Sequence, residues 1–157
     1  LAGNLDLGGG AVGKTAANIA VAKVNIPFLE AVVRGILCNA LVCLAVWLSF
    51  AAHHVSGKVL AIVFPISAFV ALGFEHCIAN MYFIPIGMMI KNFAPASYWS
   101  QIGFTPADFP KITLENFLVS NLLPVTIGNI IGGTLFVGLI YWFIYVRPSS
   151  SLKITSD

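Results

Sequence analysis

The sequence Leu72-Gly73-Phe74-Glu75-His76-Cys77-Ile78-Ala79-Asn80-Met81 places an acid beside a histidine in the middle of an apolar stretch. Between residues 59 and 90, Glu75 and His76 are the only charged or titratable side chains, once a weakly acidic cysteine and tyrosine are set aside. Ionisable groups are costly at membrane depth, so they are rare there and usually mark a conduction or proton path. We therefore predict that His76 is the functional centre.

The composition predicts that a lipid bilayer is the solvent of this chain. Of its 157 residues, 59% are hydrophobic and 9% are charged, against about 25% charged in soluble domains, and the mean hydropathy is +0.94. The net charge of +2 comes from scattered lysines and arginines, so we expect no nucleic-acid partner. The chain starts at Leu1 without an initiator Met or a signal-peptide pattern, and we expect a fragment.

Cysteines and histidines are the residues of this chain that could form a metal or redox site. The three cysteines, Cys38, Cys43 and Cys77, are odd in number and lack the short paired spacings of zinc ligands, so we expect packing residues. His53 and His54 lie in a short polar turn and are expected to be interfacial rather than metal ligands. No cofactor and no metal are expected.

A formal phosphate-loop pattern occurs near the start of the chain. Residues Gly8-Gly9-Gly10-Ala11-Val12-Gly13-Lys14-Thr15 satisfy G-x-x-x-x-G-K-[ST]. The pattern has meaning only between a buried strand and a helix of an α/β sheet. Residues 1–7 make a poor strand, and nothing downstream alternates strands with helices, so a loop leading into a helix is favoured over nucleotide binding.

The apolar runs predict an all-α fold with three membrane spans in one domain. The first span carries Asn39, whose amide needs a partner in protein or water. The third span carries Gly128 and Gly132, whose spacing predicts a close helix contact. The predicted order is a loop with an interfacial helix at 1–30, spans at 31–54, 57–90 and 116–146, a loop at 91–115 and a tail at 147–157.

The second span is too long for one upright crossing. It contains Pro65, Gly73, Pro85 and Gly87, so we expect a broken helix, unwound near residues 67–73. Unwound backbone at membrane depth is tolerated only against protein or a cavity. The break therefore lies beside a pathway.

Four runs together resemble the second half of the formate/nitrite transporter family, over roughly residues 9–145. The resemblance implies a six-span protomer of aquaporin-like architecture, built from two inverted three-span repeats, of which this chain is the second, C-terminal one. It also implies a homopentamer with one pore per protomer in the cell membrane. The runs are Arg34-Gly35-Ile36-Leu37-Cys38-Asn39, Val42-Cys43-Leu44-Ala45-Val46-Trp47, Gly73-Phe74-Glu75-His76 with Ile78-Ala79-Asn80-Met81, and Asn121-Leu122-Leu123-Pro124-Val125-Thr126-Ile127-Gly128-Asn129.

The resemblance also implies roles for particular residues. The histidine of the family's broken fifth span is central to the pore and corresponds to His76. A lysine and an asparagine near the outer vestibule correspond to Lys23 and Asn39. Phe69 and Val42 stand at the positions of hydrophobic constrictions, and the family's other broken helix belongs to the first repeat.

A transport hypothesis follows from the cost of moving charge. A small anion pays tens of kcal/mol to enter a dry apolar constriction, whereas protonating a carboxylate of pKa about 4 at pH 7 costs about 4 kcal/mol. We expect Lys23 to attract a formate- or nitrite-class anion, Asn39 to orient it, and His76 to share or donate a proton. Glu75 and Gly73 are expected to support the broken helix, with Glu75 satisfying freed backbone amides.

Several alternatives stay open from sequence alone. His76 could be a hydrogen-bonded core histidine, and Lys23 could be an interfacial lysine. A neutral-solute pore of aquaporin type is the main competing function, although the Asn-Pro-Ala box is missing. A hydrosulfide or short-chain carboxylate channel and a structural subunit are further alternatives. No nucleophile and base lie at plausible spacing, so an enzyme is not expected.

Overall fold

The computed structural model describes residues 4–147, whose regular secondary structure is helical. The all-α prediction is confirmed; most of the predicted tail lies outside the described residues. The elements are a 3₁₀ turn at Asn4–Asp6, α1 at Ala11–Val24, α2 at Phe28–Ala51, α3 at Val55–Ala71, α4 at Cys77–Phe93, α5 at Ala96–Ile102, a 3₁₀ turn at Pro106–Asp108, and a last helix at Asn116–Val146.

Two helices are long and apolar enough to cross a membrane. They are α2, with 24 residues and a hydropathy of 2.1, and the last helix, with 31 residues and a hydropathy of 1.8. The last helix has an α-helical centre, α6, at Leu123–Ile131, and wider i→i+5 winding at Asn116–Leu122, Gly132–Leu139 and Trp142–Val146. The apolar α3 is shorter, with 17 residues, and α4 follows it after the break.

The break in the second span lies at residues 72–76, not at 67–73 as predicted. Helix α3 continues through Pro65 and ends at Ala71. Gly73 then adopts φ +67°, which the missing Cβ permits. The N–H of Phe74 donates to Phe69 O at 3.0 Å, and the N–H of Gly73 donates to Val70 O at 3.1 Å. These two backbone hydrogen bonds are those of a Schellman motif at a helix C-terminus. The glycine therefore ends the helix.

Helix α2 packs against α3 and along the last helix. Gly128 and Gly132 allow a close approach, because a Cβ on either would collide with the backbone carbonyl of Val32 or Ile36. Gly35 faces the same seam, where a Cβ would stand 2.8 Å from Val125 O. The small residues thus bring two helix backbones into direct contact.

A separate aromatic core joins α1, α4 and the predicted loop at 91–115, which contains α5. Its buried members are Ala17, Ala20, Ile90, Tyr98, Trp99, Phe109 and Ile112. The Tyr98 hydroxyl donates to Gly10 O at 3.4 Å, and burial, with the charge of Asp6, raises the pKa of that phenol. The glycine-rich stretch is therefore a turn docked on Tyr98 that leads into α1.

Candidate functional site

The candidate site is centred on His76, the residue that precedes the first turn of α4. The His76 Nδ1 accepts a hydrogen bond from the Ala79 N–H at 3.4 Å and so caps the helix. The Phe69 ring stacks on the imidazole, with ring centroids 6.1 Å apart and planes at 28°. The break thus brings together two side chains that the sequence analysis assigns to the pathway.

The side chain of Asn129, on α6, holds the backbone on both sides of His76. Its Nδ2 donates to Glu75 O at 3.0 Å, and its Oδ1 accepts from the Cys77 N–H at 2.9 Å. The same Nδ2 also donates to Gly35 O on α2 at 2.9 Å. Buried backbone groups freed by a break must find partners in the protein, and one amide here supplies several.

Glu75 does not satisfy the freed backbone amides, which corrects the role expected for it. Glu75 is buried, and its carboxylate is 2.9 Å from Lys23 Nζ on α1. The other carboxylate oxygen accepts from Asn80 Nδ2 at 2.7 Å and from Asn121 Nδ2 at 3.4 Å. Side-chain amides and an ammonium therefore compensate the carboxylate, and Asn129 takes the backbone groups instead.

Lys23 belongs to the same buried network. Its ammonium donates to Glu75 and lies 5.7 Å from the centre of the Phe83 ring, while the side chain stays 16% exposed. Its backbone carbonyl accepts from Asn121 Nδ2 at 2.9 Å. The positive charge is therefore held at a fixed position by a carboxylate rather than projecting freely into solvent.

Asn39 and Val42 lie one turn apart on α2. The Asn39 Nδ2 donates to Asn129 O at 2.7 Å, which gives this amide the partner that its apolar surroundings demand. Both side chains are partly buried. Asn39 is thereby connected, through Asn129, to the backbone that carries His76.

Sequence reasoning assigned no role to Asn80, Asn121 and Asn129. Asn80 and Asn121 are fully buried, and Asn129 is 5% exposed. The available signal was an amide inside an apolar helix, the argument applied above to Asn39. In residues 4–147 no group of three His, Cys, Asp or Glu side chains could hold a metal ion.

Comparisons with known proteins agree with this architecture. Residues 2–143 match the family model described as formate/nitrite transporter. The chain is 51% identical over 127 residues to the formate channel FocA of Escherichia coli (strain K12), covering 81% of this chain and 45% of that protein. It is 43% identical over 131 residues to a probable formate transporter of Methanothermobacter thermautotrophicus, covering 82% and 41%.

A solved structure gives the same assignment. The chain superposes on a pentameric formate channel with formate bound, with a TM-score of 0.86 and 45% identity, over 91% of this chain and 56% of that one. The chain spans less than half the length of the two relatives. The resemblance inferred from the sequence is confirmed: this chain belongs to the formate/nitrite transporter family.

Proposed function

We propose that the protein transports a small monovalent weak-acid anion, of the formate or nitrite class, across the cell membrane with a proton. The observation that carries the proposal is the position of His76 at the break between α3 and α4, stacked on Phe69. An imidazole beside an apolar ring, at a point where the backbone is unwound, is suited to exchange a proton with a poorly hydrated anion.

The hydrogen bond at His76 supports Nε2 as the nitrogen that would meet the substrate. Because Nδ1 accepts from the Ala79 N–H, the neutral ring carries its proton on Nε2. The Nε2–H is then free to donate to an oxygen of the anion. Forming the imidazolium requires a proton on Nδ1 and breaks the hydrogen bond from the Ala79 N–H. His76 therefore takes up this second proton most readily when a bound anion compensates its positive charge.

The Lys23 and Glu75 pair contributes charge near the same backbone. An ammonium alone in an apolar pore would trap an anion, whereas an ammonium bonded to a carboxylate attracts one more weakly. The pair adjoins His76, because Glu75 directly precedes His76 in the chain and the Glu75 carbonyl accepts from Asn129. We infer that Lys23 and Asn39 guide the anion towards His76, between the constrictions at Phe69 and Val42.

The relatives support the same substrate and assembly. Two of them are a formate channel and a probable formate transporter, and the matched structure is a pentameric formate channel with formate bound. We propose formate as the first substrate to test and a homopentamer as the assembly. The two apolar helices long enough to span a bilayer support a multi-pass location in the membrane.

The decisive experiment measures formate uptake by the full-length transporter in liposomes at two external pH values. His76→Phe should abolish uptake that depends on the proton gradient, because the ring that replaces imidazole cannot carry a proton. His53→Phe is the matched control, since it makes the same substitution at an exposed histidine and should leave uptake unchanged.

A substrate panel separates the competing functions. Formate, nitrite, acetate, lactate and hydrosulfide are weak acids, whereas chloride is the anion of a strong acid and should be rejected. Normal pH-dependent uptake by His76→Phe would refute the role of the imidazole. Flux of glycerol without flux of any weak acid would instead establish a neutral-solute pore.

A further inference from the structure

Arg34 holds the side of the break that Asn129 does not reach. It lies on α2, where its Nη1 donates to Gly73 O at 3.1 Å. Its own backbone carbonyl accepts from the Glu75 N–H at 3.4 Å. A single residue therefore binds a carbonyl and an amide of the unwound segment, one on each side of Phe74.

The guanidinium has a second partner on its own helix. The Arg34 Nη2 bonds to the carboxylate of Glu30, one turn earlier on α2, so the fork reaches two acceptors at once. A Cβ on Gly73 would stand 3.6 Å from Arg34 Nη1, which shows how closely the cation approaches the turn. The positive charge also lies at the carboxyl end of α3, where the helix dipole favours cations.

The contact has a direct connection to the constriction. Gly73 and Phe74 close the Schellman turn, and the Phe74 N–H bonds to the carbonyl of Phe69. A shift of the Gly73 carbonyl relative to α2 therefore moves the last turn of α3. That turn carries the ring that stacks on His76.

We propose that Arg34 is a positioning residue that sets the width of the passage between Phe69 and His76, and hence the size of weak acid that is carried. Arg34 acts through the Gly73 turn and does not contact the substrate. The proposal rests on the weak-acid transport proposed above. A lysine would keep the charge but lose the planar fork that binds Gly73 and Glu30 together.

The test compares Arg34→Gln and Arg34→Lys with Arg147→Gln in the full-length transporter. Arg147 is the matched control, because it is exposed at the end of the last helix and lies over Phe143. Liposome uptake of formate and of the larger lactate is normalised to the amount of assembled protein. We expect Arg34→Gln to lower the formate-to-lactate uptake ratio about threefold, because the hydrogen bond to Gly73 is exposed and an exposed charged contact contributes little.

Lysine at position 34 should restore part of that ratio, and Arg147→Gln should leave it unchanged. A merely stabilising role for Arg34 would lower the yield of assembled protein but not the ratio. If Arg34→Gln does not assemble, Arg34→Lys decides, and a wild-type ratio in that variant overturns the proposal.

Hydrogen exchange of residues 72–76 gives a second measurement that needs no transport. Arg34→Gln should accelerate exchange of these amides about threefold relative to Arg147→Gln, and Arg34→Lys should accelerate it less. Unchanged exchange would overturn the positioning role even in an active transporter. Wild-type protein that carries no weak acid, with accelerated exchange in the Arg34 variants, would refute the transport function and leave the positioning of the break established.

Discussion

Two interruptions divide the apolar helices, and both contain histidine. Residues 52–54 separate α2 from α3, and residues 72–76 separate α3 from α4. At the first, His53 and His54 are exposed, and His54 makes no side-chain cap bond within the described residues. At the second, the backbone around His76 is bound by side chains from α2 and α6.

The difference lies in how the freed backbone groups are satisfied. An exposed turn leaves its N–H and C=O groups to water, so the sequence there is free to vary without a packing cost. The break at 72–76 is exposed at Leu72 and Gly73, but it is buried at Glu75 and partly buried at Phe74 and His76. In that buried part each freed group needs a partner from the protein. The arrangement around His76 therefore requires partners from distant helices, whereas the turn at 52–54 requires none.

The largest expected effect tests the buried break directly. Asn129→Leu removes the amide that bonds to Gly35, Glu75 and Cys77. Leaving those buried backbone groups without partners should lower the free energy of unfolding by about 3–5 kcal/mol. Thermal unfolding of purified protein measures the change. Asn25→Leu, at an exposed position that bonds only to its own helix end, should cost less than about 1 kcal/mol.

A slightly smaller loss in the free energy of unfolding is expected at the Lys23–Glu75 ion pair. Glu75→Gln leaves the Lys23 ammonium without its counter-charge in a site where the carboxylate is 5% exposed and the lysine 16%. The expected loss is about 3 kcal/mol, the lower end for breaking a buried pair because Lys23 keeps some contact with solvent.

Adding Lys23→Met to Glu75→Gln should recover part of that stability, since no uncompensated charge remains. The matched control is Glu30→Gln, whose ion pair with Arg34 is exposed on α2 and should contribute less than about 1 kcal/mol. Equal losses at Glu75 and Glu30 would mean that burial does not raise the contribution of the Lys23–Glu75 ion pair.

The sequence carried much of this picture, because its strongest signals are local. The apolar runs indicated the helices, four runs together indicated the family, and the prolines and glycines of the second span indicated a break. The predicted position of the break is wrong, because a proline does not always end a helix. Pro65 sits inside α3 without ending it, whereas Gly73 supplies the positive φ that does.

The partners of the site residues were beyond sequence reasoning. Glu75 and Lys23 are 52 residues apart in the chain, and Asn129 binds Gly35 across 94. Nothing in the local pattern tells which of several buried amides faces which backbone group. That choice depends on how closely α2 and the last helix pack, which only the three-dimensional arrangement shows.

The close contact between α2 and the last helix at Gly35, Gly128 and Gly132 also supports the break, because it brings Asn129 near the backbone at His76. Gly128→Ala places a methyl group against the carbonyl of Val32 and should cost about 2 kcal/mol through overpacking. It should also accelerate hydrogen exchange at residues 72–76, while exchange at 52–54 stays unchanged. Gly138→Ala is the control, since Gly138 is exposed and its Cβ would lie 3.3 Å from the carbonyl oxygen of Gly133 in the same helix.

The smallest expected effect is at the exposed turn, where His53→Gln and His54→Gln are made together. Both side chains face outward, so the free energy of unfolding should change by less than about 0.5 kcal/mol, and formate uptake should keep its dependence on pH. Liposome uptake measured beside His76→Gln, which keeps a polar side chain but cannot carry a proton, makes the contrast quantitative. A loss of pH dependence in the double variant would place a titrating group at the turn and end the distinction between the two interruptions.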